Sequence, residues 1–403
     1  MDALEQKFQK LGAEHAPGQE ARQNDEITFK GEKIPGLPVD FSHGDVDAFE
    51  PIPGALDSFI EGVRIGGEQA YTEYRGSKAL REDLAAKLTE FTGAEINAAD
   101  NLIITPGTQG ALFLAMGSSV ARGDKVAIVM PDYFANRKLV EFFDGEIVPV
   151  QLNYLDTISE AGLDLSELEA AFQSGVKLFL FSNPNNPTGV IYSSAEIEEI
   201  AKLAARYGVQ IIVDQLYSRQ LFEEKPYTHL AAQYTLDSEN IITIIGPSKT
   251  ESLSGYRLGV AFGAAKIIER MERLQAIVSL RAAGYSQAVM KSWFNEPDGW
   301  MNDRITQHQA IRDDLLEKFR NEGGFEVRTA EAGSYLFPRI PDLTIPIEEL
   351  VKILRVRADV IVTPGTEFGD KFIDSFRINF SQDHQAAAAA IDRLITVVKE
   401  YRT

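Results

Sequence analysis

Seven short runs in the middle of the chain, 101–105, 126–130, 146–152, 177–181, 209–213, 241–245 and 258–262, are apolar at most positions, and several are apolar on both faces. Strands of that kind belong to a parallel sheet covered by helices on each side. Between the runs, apolar residues recur at helical spacing with legible starts and stops. Asp164 with Glu167, and Ser193 with Glu196, have capping-box spacing, and Gly208 follows the helix that begins near Ser194. Strand alternating with helix over about 200 residues predicts a doubly wound α/β domain.

The pattern changes after residue 290. Long helical patterns at 266–280 and 303–321 bracket that point, and short apolar runs at 325–328, 334–338 and 360–362 then lead to a closing helix over 384–401. This predicts a smaller α+β domain. The expected division is an N-terminal arm with part of the small domain (1–55), a large domain with a mostly parallel seven-stranded sheet between helices (56–295), and a small C-terminal domain (296–403). There is no internal repeat. The alanine run 386–390 lies inside the last helix, where strong helix formers need no functional reading.

Composition narrows the function classes. The 403 residues carry 60 Asp and Glu against 40 Lys and Arg, a net charge of −20, and no cysteine. Disulfides, thiolate metal sites and a Cys nucleophile are thereby excluded. The acidic excess disfavours nucleic acid and anionic membranes as partners, yet allows a locally basic pocket for a small anion. No apolar run approaches the ~20 residues that span a bilayer. The stretch MDALEQKFQKLG is charged and amphipathic rather than a signal peptide. A soluble, cytoplasmic protein is expected, with no metal among its site residues.

The candidate chemistry lies mainly at the ends of the apolar runs. Ser248-Lys249 follows run 241–245, and eight residues after the lysine stands Arg257, in the glycine-punctuated turn Gly255-Tyr256-Arg257-Leu258-Gly259. Most lysines are solvated surface charges. One placed at the carboxyl edge of an α/β sheet, where ligands bind, is instead a candidate Schiff-base nucleophile. Thr105-Pro106-Gly107-Thr108-Gln109-Gly110 joins a strand to a helix, a place where free N–H groups suit a phosphate. Pro131-Asp132-Tyr133, Ser182-Asn183-Pro184-Asn185-Asn186-Pro187-Thr188-Gly189 and Asp214-Gln215-Leu216-Tyr217 follow three other runs. Arg377 stands alone inside the apolar Phe376–Phe380 stretch, which is costly unless the charge is paired.

From Ser248 to Gly259 the chain reads S-K-x-x-x-x-x-G-x-R-x-G. In this it resembles the fold-type I, class I/II aminotransferases that use pyridoxal 5'-phosphate (PLP), typified by aspartate aminotransferase. The likeness extends over about residues 38–400 through N-P-x-N-P-T-G, D-E-x-Y and, at 363–369, P-G-x-x-F-G patterns. It implies that Lys249 forms an aldimine with PLP and carries the proton between Cα and C4′, passing through pyridoxamine phosphate. It further implies that Gly107, Thr108, Gln109, Ser248 and Arg257 hold the phosphate and that Tyr133 stacks on the ring. Asp214 keeps the ring nitrogen protonated, and Asn186 and Tyr217 meet the phenolic oxygen. Arg377, Asn186 and Gly44 receive the substrate carboxylate, and Tyr71 crosses to the partner of a homodimer. The expected reaction moves the amino group of an L-amino acid to a 2-oxo acid.

One stretch departs from the family. Val39-Asp40-Phe41-Ser42-His43-Gly44-Asp45-Val46-Asp47 matches an I-D-L-S-x-G-x-P-D arm but carries His43 where an apolar residue is usual and Val46 for Pro. His43 either reads a polar or acidic substrate side chain or adds acid/base chemistry, and a hydrogen-bonded loop histidine is the plain alternative. Arg281 is a second candidate reader of a distal carboxylate; Arg219 is expected to be structural. If His43 redirects the chemistry, the alternative outcome is elimination, decarboxylation or oxygen-dependent oxidation on the same fold. Residues 1–35 show no family pattern, leaving an interface arm or a segment that closes over substrate.

Overall fold

The strands at Leu178–Ser182 and Ile241–Ile245 are buried at every position, so both faces of the sheet they build must be covered. The computed structural model describes residues 2–11 and 28–403. The sheet has seven strands in the order Leu102–Pro106, Leu258–Gly263, Ile241–Ile245, Gln210–Asp214, Leu178–Ser182, Lys125–Met130, Glu146–Gln151. Only Leu258–Gly263 runs against its neighbours. Side chains alternate between two cores, as the two-residue strand period requires. Val129, Phe181 and Val213 join one core with helices Leu165–Gln173 and Ser194–Tyr207. Ile128, Leu180 and Ile212 join the other with helices Gly107–Ser119 and Ala265–Val278.

The helix signals differ in detail. Ser193 and Glu196 close a full capping box, and Gly208 ends that helix at φ 66°. The Glu196 carboxylate also accepts from the N–H groups of Ala161, Gly162 and Leu163, which ties the preceding loop to the helix start. Asp164 caps its helix, but the Glu167 carboxylate accepts from Gln151 N–H at 2.6 Å instead of turning back to Asp164. The adjacent strand end offers it a stronger use.

A third core joins Val39, Phe41 and Phe49 of the arm to residues between Ile311 and Tyr401. Val39–Asp40 pairs in parallel with Val360–Ile361, and Phe376–Asn379 lies between Thr363–Pro364 and Tyr335–Leu336. The expected strand at 325–328 is reduced to a single bridge between Glu326 and Arg339. Gly323 and Gly324, both at positive φ, end the long helix Trp300–Glu322 there, and Phe325 folds back onto Phe319 at 5.2 Å. The closing helix spans His384–Tyr401.

At the N-terminus, helix Ala3–Leu11 rests on helix Phe134–Phe142, with Lys7 Nζ 4.3 Å from the Phe142 ring centre. Residues 12–27, part of the segment considered for closing over substrate, lie outside the described residues. Among the described residues no helix is long and apolar enough to cross a membrane, and no cluster of three or more His, Asp or Glu is arranged to hold a metal ion.

Candidate active site

Parallel strands deliver their carboxyl ends to one edge of the sheet, and α/β proteins bind ligands there. Strand ends at Pro106, Met130, Ser182, Asp214 and Ile245 place Thr108, Tyr133, Asn186, Tyr217 and Lys249 along that edge. The antiparallel strand begins at the same edge, so Arg257, one residue before it, arrives beside them. Together with Ser42, His43, Gln109, Asp214, Ser248, Tyr335 and Arg377 they line one cavity of about 280 Å³.

Two glycines allow the anion cup to close. Gly107 sits at φ +78°, and a Cβ there would stand 2.7 Å from the Arg257 guanidinium. A Cβ on Gly259 would stand 2.5 Å from the backbone of Gly107 and Thr108. The Arg257 side chain, braced by the Ser254 carbonyl at 2.9 Å, therefore meets the start of helix Gly107–Ser119. A cation beside free N–H groups at a helix start is a phosphate site. The Tyr133 hydroxyl donates to Gln109 Oε1 at 3.0 Å, which anchors its ring at the cavity wall.

Asp214 accepts from Leu216 N–H at 3.0 Å, and burial pushes its carboxyl up to about 6. A protonated ring nitrogen would relieve that desolvation and restore the charged form. Below it, Asp132 is wholly buried and pushed up to about 7 by desolvation, while it accepts from the Ser182 N–H and hydroxyl. Ser182 in turn accepts from Asn186 N–H at 3.1 Å, so the Asn186 loop is fixed from beneath.

Arg377 is 3% exposed, and among the described residues no carboxylate lies within ion-pair distance. Nη1 donates to Asn186 Oδ1 at 3.0 Å and Nη2 to the Ser42 carbonyl at 2.8 Å, whereas Nε has no partner. Its plane lies over Tyr335 and Phe368, 4.4 and 5.0 Å from the ring centres. A buried cation held only by neutral groups is costly, so the fork is built for an anion that arrives with the ligand.

His43 stands at the mouth of the cavity, largely exposed. Its Nε2 faces Asp40 at 3.4 Å and its Nδ1 lies 3.0 Å from the Gly44 carbonyl. The Asp40 contact holds the imidazole up at about 8, against desolvation and the Lys249 charge. Gly44 and Lys249 also line an adjoining chamber of about 560 Å³, where a Cβ on Gly44 would touch Ser381 at 3.3 Å.

Two candidates are elsewhere in this protomer. Tyr71, 80% exposed, and Arg281 line a separate open groove of about 1320 Å³. Arg281 donates to the Thr72 carbonyl at 2.6 Å and lies over the rings of Tyr71 and Tyr74. Arg219 is structural: it pairs with Glu251 and Glu296 and stacks on Phe294 at 4.0 Å. The motifs missed Ser42, whose carbonyl orients Arg377, and Tyr335, whose hydroxyl meets that of Tyr217 at 2.7 Å. For Tyr335 a signal existed, an aromatic residue two positions after a turn glycine.

An anion cup, a buried carboxylate and a lysine amine in one cavity are what an α/β enzyme that works with pyridoxal 5'-phosphate needs. The sequence model for aminotransferase class I and II matches residues 38–394, and the chain belongs to that family. It is 61% identical to a crystal structure of an aspartate aminotransferase from Rhodobacter sphaeroides 2.4.1, with a TM-score of 0.95 and both chains covered in full. It is 25% identical to the aspartate aminotransferase of Musicola paradisiaca over 87% of this chain and 86% of that one. Identity to aromatic-amino-acid aminotransferase 2 of Thermococcus litoralis is 26%, over 82% and 84%. The protein is thus a PLP-dependent transaminase, acting on amino acids and 2-oxo acids.

Proposed function

We propose that the enzyme transfers the amino group of a dicarboxylic L-amino acid, aspartate foremost, to a 2-oxo acid such as 2-oxoglutarate. The observation that carries this reading is a basic group, His43, at the mouth of the cavity that already holds Arg377 without a carboxylate partner among the described residues. Arg377 grips the α-carboxylate, and His43 exchanges the Gly44 carbonyl for the distal one. The aspartate aminotransferases among the relatives, including the one at 61% identity, support the same substrate.

Thr108, Gln109, Ser248 and Arg257 would hold the cofactor phosphate, Tyr133 its ring, Asp214 its nitrogen, and Asn186 and Tyr217 its phenolic oxygen. Bound there, PLP supplies the electrophilic carbonyl and the electron sink. Lys249 Nζ would take and hold the proton from the substrate Cα. Arg377, fixed by Asn186 and Ser42, orients the Cα–H bond toward that amine.

A homodimer belongs to this reading. Leu56, Ile60 and Val63, one face of helix Ala55–Ile65, are exposed along with Tyr71, Ile277 and Leu280. An apolar surface of that extent fits a second copy, which would bring Tyr71 and Arg281 toward the partner's site. The division into 1–55, 56–295 and 296–403 is kept, supported by the core that joins the arm to the C-terminal residues. The cytoplasm, where amino and oxo acid pools lie, is the proposed location.

A donor panel tests the reading: aspartate is expected to exceed alanine and phenylalanine in kcat/KM, and a preference for either of those would contradict it. His43→Ala is expected to lower kcat/KM for aspartate about fivefold, in line with an exposed ion pair, and to leave alanine unchanged. The imidazole is cationic below about 8 and loses its charge above it. Aspartate preference should therefore fall as pH rises through that value in the natural enzyme and stay flat in His43→Ala. Equal profiles for the two would assign the distal carboxylate to another group, with Arg281→Ala the next variant to test.

A further inference from the structure

Tyr335 follows a turn that presses it against Tyr217. Gly333 sits at φ +71°, and a Cβ there would stand 3.1 Å from the Tyr217 ring. Gln220 clips this turn to the Tyr217 loop, accepting from Gly333 N–H through its backbone and donating to the Gly333 carbonyl through its side chain. The two phenol rings meet edge to face at 5.3 Å with their oxygens 2.7 Å apart. Tyr335 is 5% exposed and lies under the Arg377 guanidinium at 4.4 Å.

As the structure stands, Tyr217 donates to Tyr335, and the pair keeps one proton, that of Tyr335, for another acceptor. On the reading above, Tyr217 spends its proton on the cofactor's phenolic oxygen, which leaves its own oxygen free to accept. The bond between the phenols then reverses, and Tyr335 becomes the donor. Burial would raise its phenol, but the charges of Arg377 and Lys249, with the hydrogen bond it accepts from Tyr217, outweigh burial and bring it below its ordinary value, despite Asp214 nearby. Burial and the neighbouring Tyr335 hold Tyr217 well above its ordinary value. Tyr133 and Ser334 complete the polar surroundings of the pair.

We propose that Tyr335 is a positioning residue for the cofactor: its hydroxyl donates to Tyr217 and so commits the Tyr217 proton to the cofactor's phenolic oxygen. Hydrogen bonds in such a chain strengthen one another. A stronger donor at that oxygen withdraws negative charge from beside the Lys249 nitrogen, and the proton there becomes easier to lose. The proposal rests on Tyr217 being a cofactor ligand, as read above.

The test is a pH titration of the visible absorption of the PLP-loaded protein, without substrate. Tyr335→Phe keeps the ring and is expected to raise the apparent pKa by about half a unit, with Tyr217→Phe raising it further. In the Tyr217→Phe background, Tyr335→Phe is expected to add nothing. Two results would overturn the proposal alone: no rise in Tyr335→Phe, or the same rise in both backgrounds, which marks a packing effect. An unmoved titration in Tyr217→Phe would overturn the role of Tyr217 as well.

Discussion

Replacing Lys249 by alanine is expected to lower kcat by at least about 10⁴-fold, the upper end of what a positioned proton carrier supplies. The lysine is also the nucleophile toward the cofactor, so the loss compounds. The fold should survive. Among the described residues the Lys249 side chain makes no hydrogen bond, while its carbonyl accepts from Ser252 N–H at 3.0 Å. Mass spectrometry after borohydride treatment gives an independent reading: the natural protein gains a cofactor adduct at Lys249, and the variant gains none. Activity within about tenfold of the natural enzyme would remove the lysine from the chemistry.

The second large effect is expected at Arg377. Arg377→Leu removes a buried guanidinium that has no carboxylate of its own, and the anion it should receive is left unpaired. Losing one partner of a buried ion pair costs about 3–5 kcal/mol, so kcat/KM should fall by about 10²–10⁴-fold for donor and acceptor alike. Most of the loss should appear in KM if the fork only binds, and also in kcat if it orients Cα–H. Arg377→Lys is expected to recover little, because a single ammonium cannot offer two parallel N–H groups while bonding Asn186 and Ser42. Full recovery with lysine would show that charge alone suffices. The protein itself should tolerate Arg377→Leu well, since Tyr335 and Phe368 already provide an apolar bed.

The large sheet was legible because most of its strands are buried on both faces, which writes them as short, mainly apolar runs; the edge strand Glu146–Gln151 is the exception. Run 241–245 coincides with a strand, and the other six agree to within one residue at either end. Short elements carry no such pattern. Tyr335–Leu336 and Val360–Ile361 are two residues long, held by pairing with distant segments, and the 325–328 run is core without being a strand. Site residues at strand ends could be read because topology fixes where such ends meet. Arg377 announced itself as a charge inside an apolar strand. Tyr335 offered only the glycine two positions before it, because the Gly333 turn and the Gln220 clip are what bring it to Tyr217. Tyr71 and Arg281 lie in a separate groove, and nothing within the described residues brings them to the cavity. The net charge of −20 was likewise a poor guide to the site. Lys249, Arg257 and Arg377 place three cations around one cavity on an acidic protein.

The most direct measurement mixes PLP-loaded protein with L-aspartate and no oxo acid. A transaminase releases one oxo acid per active site, leaves its cofactor as pyridoxamine phosphate and stops, restarting only when 2-oxoglutarate is added. Continued turnover without an acceptor, with ammonia released or oxygen consumed, would contradict amino-group transfer and give His43 a different task.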